Sequence, residues 1–128
     1  MKVLVDTHAI LWWLVDDMRL SGTVRRILED SSHERMVSIA SLWEIAIKMS
    51  LQKLTVRDLS FAEVLNQLRN YEFQFLPIRF KDLERLGTLP WHHRDPFDRL
   101  LIAQSMEEGI PLMTSDSWVE DYALRTVW

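Results

Sequence analysis

Four carboxylates, Asp6, Glu44, Asp98 and Asp116, occupy one kind of place in this chain: the end of an apolar run, or the first turn of the helix-like stretch that follows it. In an open parallel α/β sheet all such places lie along the carboxyl edge, where ligands bind. Acids distant in sequence would therefore meet in space. Bare carboxylates a few ångströms apart repel one another, so one or more takes up a proton unless a divalent cation neutralises the group. The chemistry expected of these residues is metal binding. Oxygen donors without a histidine or cysteine set favour a hard ion, Mg²⁺ with Mn²⁺ as the alternative, over zinc. His92 and His93 are neighbours in a loop and do not easily face one site, while His8 falls in the first helix, so packing or surface roles are expected for all three.

Each acid also has an ordinary reading. Asp6 could cap the helix after it, and Glu44 could complete a capping box with Ser41 or pair with Lys48 one turn on. Asp98 could satisfy first-turn amides of a helix capped by Asp95, and Asp116 could be a turn acid. Capping does not require four acids on one edge, and the joint pattern favours the cation. Asp95 competes with Asp98 as the third ligand but is better placed to use its oxygens as a cap; Asp121 is a further acid near the crest, expected at the surface. Thr7 and Ser115 adjoin proposed ligands and could hold a carboxylate or a bound water. Arg94 and Arg99 flank the third acid, where a guanidinium could grip a phosphate or form a solvated salt bridge. Trp12, Trp13 and Trp43 read as packing residues, and Trp91 and Trp118 lie nearer the crest.

These residues need a scaffold of alternating strands and helices. Lys2 to Val5 reads as a strand, followed by a helix from His8 to Val15 capped by Thr7; Ser21 caps a second helix with Val24, Ile27 and Leu28 on one side. A strand from Arg35 to Ile39 precedes a helix whose start is marked by Ser41 and Glu44, and Ser60 with Glu63 repeats that signal. The run Phe73 to Ile78 is a third strand whose proline suggests an irregular or edge position. Phe80 to Leu86 is a short helix, and Gly87 to Arg94 a loop. Asp95 and Pro96 start a helix that Gly109 ends. Pro111 to Thr114 is the fourth strand, Ser117 and Glu120 open a last short helix, and Thr126 to Trp128 adds a terminal strand. The alternation implies an α/β fold with a central, mainly parallel sheet and right-handed crossovers.

The 128 residues fit a single domain, 1–128, and 48% hydrophobic with 27% charged residues is ordinary globular composition. The absence of cysteine excludes disulfides and suits a reducing compartment. Lys2 to Val5 meets Asp6 too early for a signal-peptide core and Ala9 to Val15 is too short to span a bilayer, so a cytoplasmic protein without membrane association is expected. A net charge of −4 argues against a broad basic footprint for duplex nucleic acid. A bound cation would make the crest attractive to phosphate all the same.

The opening V-D-T-H-A-I-L-W-W, the segment S-L-W-E-I-A-I-K, the run R-D-P-F-D-R-L-L-I-A-Q and the T-S-D triplet, in this order over nearly the whole chain, together resemble the PIN-domain ribonucleases, specifically the VapC-type toxins of bacterial toxin-antitoxin pairs. The resemblance implies a three-layer α/β/α sandwich and carries the acidic site onto Asp6, Glu44, Asp98 and Asp116. It implies Mg²⁺- or Mn²⁺-dependent endonucleolytic cleavage of RNA by a cation-activated water, a cognate antitoxin protein that masks the site, and a homodimer. Trp12, Trp13 and Leu14 are then a candidate apolar surface for either contact. Two other readings compete. A phosphate-accepting signalling domain would want paired acids after the first strand and a lysine after the last, whereas Asp6 is followed by Thr7 and the chain closes on Arg125, Thr126, Val127 and Trp128. A catalytically silent PIN-like binding protein would keep the fold but not need all four acids.

Overall fold

The computed structural model describes residues 1–128, organised around one five-stranded sheet in which every pairing is parallel. In chain order the elements are β1 (Lys2–Val5), α1 (Thr7–Leu14), α2 (Gly22–Leu28), β2 (Glu34–Ser38), α3 (Ile39–Ser50), α4 (Phe61–Asn70), β3 (Gln74–Leu76), α5 (Phe80–Thr88), α6 (Pro96–Glu108), β4 (Leu112–Met113), a 3₁₀ turn (Ser117–Asp121) and β5 (Thr126–Val127). The strand order is β3-β2-β1-β4-β5, so β1 lies at the centre and β3, which stops before Pro77, at an edge.

Side chains alternate across β1, and the alternation separates two apolar layers. Val3 and Val5, with Val37 and Met113, face α1 to α4. Leu4, Met36 and Leu112 face α6 and the segment that carries Val119 and Tyr122. The result is a three-layer α/β/α sandwich. No helix is long and apolar enough to cross a membrane.

Short polar residues start most of the helices. Ser21 Oγ accepts the Val24 amide, Ser60 and Glu63 form a reciprocal box, and Asp95 Oδ1 accepts the amides of Phe97 and Asp98 ahead of Pro96. Gly109, at φ 65°, takes the left-handed conformation that ends α6. Two starts differ from the sequence expectation. Asp6, not Thr7, caps α1, and α3 begins at Ile39 under a Ser38 cap, not at the Ser41 signal. The strand β2 passes into α3 without a loop, so Ser41 already sits inside the helix, where its Oγ accepts a bond from Thr7 Oγ1 at 2.9 Å.

A buried arginine ties the first layer together. Arg35, 1% exposed, points from β2 into the apolar face and donates to the carbonyls of Leu28 and Tyr71, at the C-terminal ends of α2 and α4, with its guanidinium over Phe73. Helix C-termini supply both unsatisfied acceptors and partial negative charge, which is what lets a cation sit there without a carboxylate partner.

The Trp12 to Leu14 stretch is partly engaged within the chain, with Trp12 and Trp13 half-buried. Trp13 packs edge-on against Tyr71 with ring centres 4.8 Å apart and lies 5.2 Å from Phe73; Trp12 meets Trp128, and Leu14 is buried. Both tryptophans therefore pack on one side and stay partly open on the other.

Candidate active site

Strand register fixes the site. Val5 pairs with Val37 on one side and Met113 on the other, so the chain leaves three neighbouring strands at one edge. Asp6 is the first residue out of β1, its amide donating to the Met113 carbonyl at 3.1 Å. Asp116 follows β4 by three residues. Around one point Asp6, Asp116 and His8 each offer a ligand atom, all within 4.8 Å of one another.

Asp6 is 5% exposed, and its Oδ1 accepts the Ala9 amide at 2.7 Å. Burial pushes its carboxyl from 3.8 up to about 6, against hydrogen bonds from the Thr114 hydroxyl and the Ala9 amide and the nearby His8, with the Asp116 charge adding to the rise. Asp116 sits at the start of the 3₁₀ turn but makes no side-chain cap bond, which leaves its oxygens available.

The other two acids come from helices. Asp98, in the first turn of α6, is half-buried and accepts from His93 Nε2 at 2.8 Å. Burial raises its pKa, the His93 bond opposes this, and the charges of Asp95 and Asp116 raise it further, so Asp98 and Asp116 feel each other. Glu44 is buried on α3. Its Oε2 accepts from Lys48 Nζ at 2.8 Å, while Oε1 is buried without any hydrogen-bond partner. A buried carboxylate oxygen left unpartnered is costly and calls for a cation or a donor.

These features fit a divalent ion. Three donor atoms all within 4.8 Å of one another lie close enough for one ion to sit among them. The clustered donors, two carboxylates and one imidazole, are mostly hard oxygen, and Glu44 and Asp98 are not among these three.

The remaining sequence candidates fall differently. Thr7 is buried, and its hydroxyl is taken up by Ser41. Ser115 and Arg94 are exposed, and Asp121 is exposed as expected. Asp95 uses Oδ1 for the cap of α6. Arg99 corrects the expectation of a phosphate grip. It is 3% exposed and braces the crest loop from beneath: its guanidinium donates to the carbonyls of Pro90 at 2.8 Å and Leu89 at 3.3 Å and to Tyr122 Oη at 3.2 Å, with the Trp91 ring 3.8 Å away. Both terminal nitrogens of the guanidinium are thus engaged by the protein and turned away from a substrate phosphate. Trp118 lies against His93 and Trp43 edge-on to Phe97 at 5.2 Å, which leaves Trp91 the more open crest tryptophan.

Sequence reasoning missed His8, Thr114 and His93. The signal for His8 was its position two residues after Asp6: the cap and the second residue of a helix lie at the same end, so both reach the same point. His93 lies five residues before Asp98 in a loop that folds back over the first turn of α6.

A model of the PIN domain matches residues 3–123 of the chain. No curated protein matches the sequence significantly. Among solved structures, the chain is similar to VapBC2 from Rickettsia felis bound to a promoter DNA fragment, with a TM-score of 0.78, 14% identity, and 100% and 99% of the two chains covered. It is similar also to DNA-bound VapBC from Salmonella typhimurium, at 0.71, 12%, 99% and 97%. FitAcB from Neisseria gonorrhoeae gives 0.70, 13%, 98% and 96%. At such identities the likeness is one of fold, whereas the family model spans nearly every residue that builds the edge described above. The chain belongs to the PIN domain family.

Proposed function

We propose that this protein is a metal-dependent endoribonuclease, the toxin of a toxin-antitoxin pair, whose site is formed by Asp6, Glu44, Asp98 and Asp116. The observation that carries the reading is the convergence of Asp6, Asp116 and His8 at the carboxyl edge, with the Asp6 carboxyl pushed up to about 6 by burial. Membership of the PIN domain family supports hydrolysis of nucleic acid. A divalent cation, when bound, lowers the pKa of a water and offsets charge growing on the phosphorus and the departing 3′ oxygen.

The chain's own residues hold and orient. Asp6 is fixed by the Ala9 amide, and Asp98 by His93. Glu44 is anchored through one oxygen by Lys48 and keeps the other free. Exposed Arg94 and Ser115 stand where they can meet substrate phosphate or water. Oxygen donors fit Mg²⁺ and Mn²⁺ alike, and the His8 nitrogen favours Mn²⁺. By extension from the VapBC and FitAcB structures, we take a cognate antitoxin as the protein partner; the homodimer follows only from the resemblance of the sequence motifs.

Purified protein freed of any partner is expected to cut transfer or ribosomal RNA in Mg²⁺ or Mn²⁺ and to stop on chelation; cutting that persists in excess chelator would overturn the reading. Cation affinity should also depend on pH. Below about 6 Asp6 is protonated and a cation must displace that proton, so affinity rises with pH up to about 6 and levels off above it. The slope, about tenfold per pH unit for one displaced proton, is measurable by calorimetric Mn²⁺ titration between pH 5 and 8. A flat profile would separate Asp6 from the cation.

A further inference from the structure

Beside the acid cluster, between α1 and the connection from α3 to α4, lies a cavity of about 430 Å³. Its inner end is shared with the cluster: His8 lines it from α1 and Lys48, the partner of Glu44, from α3. Leu11, Trp12 and Leu54 give it an apolar wall. Lys53 stands at its rim without an ion-pair partner, and its amide donates to the Lys48 carbonyl at 2.9 Å, which brings two ammonium-bearing side chains to one wall. Arg19 is neutralised by Asp17 at 2.7 Å and lies over Trp12 at 4.6 Å, so it holds the ring in place.

We propose that this cavity seats the nucleotide adjoining the cleaved phosphodiester, with its phosphate at Lys48 and Lys53 and its base against the apolar wall. The proposal rests on the ribonuclease reading above. Three features select a nucleotide: a size within the range of small-ligand sites, a cation beside an apolar wall, the combination used to hold single strands, and continuity with the acid cluster through His8. Lys48 is shared with Glu44 and Arg19 with Asp17, which leaves Lys53 as the cation of this wall without a carboxylate partner and the one that suits an anion. A base can enter such a concave space only when unstacked, so the site selects single-stranded RNA or a loop over a duplex.

The test compares cleavage of single-stranded decauridine with cleavage of bis(4-nitrophenyl) phosphate, a diester too small to reach from the acids into the cavity. Lys53→Glu removes the cation, and Thr55→Trp, at an exposed wall residue, fills the space without touching the core. In both variants the ratio of RNA to small-diester cleavage is expected to fall about tenfold, with the loss in KM. In Lys53→Glu the dependence of log KM on log salt should become shallower by about 0.7, the share of one phosphate contact. Wild-type ratios and salt slope in both variants would overturn the proposal and leave the cavity to a protein segment. Failure of the wild type to cut either substrate would instead sink the nuclease reading, and this inference with it.

Discussion

Asp6→Asn is expected to lower metal-dependent RNA cleavage by at least a thousandfold, a loss of about 4 kcal/mol of transition-state stabilisation. The substitution keeps the shape of the side chain and an oxygen for the Ala9 amide, so the helix cap survives. It removes the charge that burial already penalises. The folded pKa is raised, from 3.8 to about 6, so the penalty is absent below about pH 4, grows as the unfolded chain ionises first, and is complete above about pH 6. The metal-free variant should therefore be more stable than the wild type at pH 7, by up to about 3 kcal/mol, and no more stable at pH 4. Thermal unfolding in chelator at the two pH values checks this beside the cleavage assay. Equal cleavage by variant and wild type would mean a contaminant or the wrong centre, and a variant destabilised at pH 7 would contradict the strain assigned to Asp6.

Arg99→Met is expected to destabilise the fold by about 3 kcal/mol or more, because several buried carbonyls and a tyrosine hydroxyl lose a charged donor together. The guanidinium serves Pro90, Leu89 and Tyr122 together, and without it only the Tyr122 hydroxyl bond to the Pro90 carbonyl remains among them. The loop they hold carries His93, the partner of Asp98, so cleavage should fall along with stability. Lysine is no substitute, since one ammonium does not reproduce a planar fork. Urea unfolding measures the effect, and a Met variant within about 0.5 kcal/mol of wild type would show that water replaces the bonds and that the brace is dispensable.

Both residues show what a sequence can and cannot convey. The strands and their parallel sense were readable because apolar runs alternate with capped helices, and the meeting of Asp6 with Asp116 because each follows a strand at the same edge. The start of α3 was not: S-x-x-E at Ser41 and Glu44 is matched by residues that serve other ends, Ser41 meeting Thr7 across helices and Glu44 pairing with Lys48. Spacing cannot tell a serine that caps its own helix from one that bonds a neighbour. Arg99 was read as surface because arginine is usually solvated, and its burial depends on carbonyls contributed by a loop that is distant until the chain folds. His8 lacked a partner at sequence level, since its two acids lie on either side of a strand pairing.

That pairing sets the order in which the molecule can become competent. Leu4 and Val5 take Leu112 and Met113 as neighbours, so Asp6 and Asp116 meet only across a separation of more than a hundred residues. A nascent chain that has emerged as far as α6 holds three of the acids and lacks the fourth. The acid cluster therefore cannot assemble before β4 has joined β1, a delay written into topology: until that late strand docks, Asp6 and His8 stand without their third neighbour.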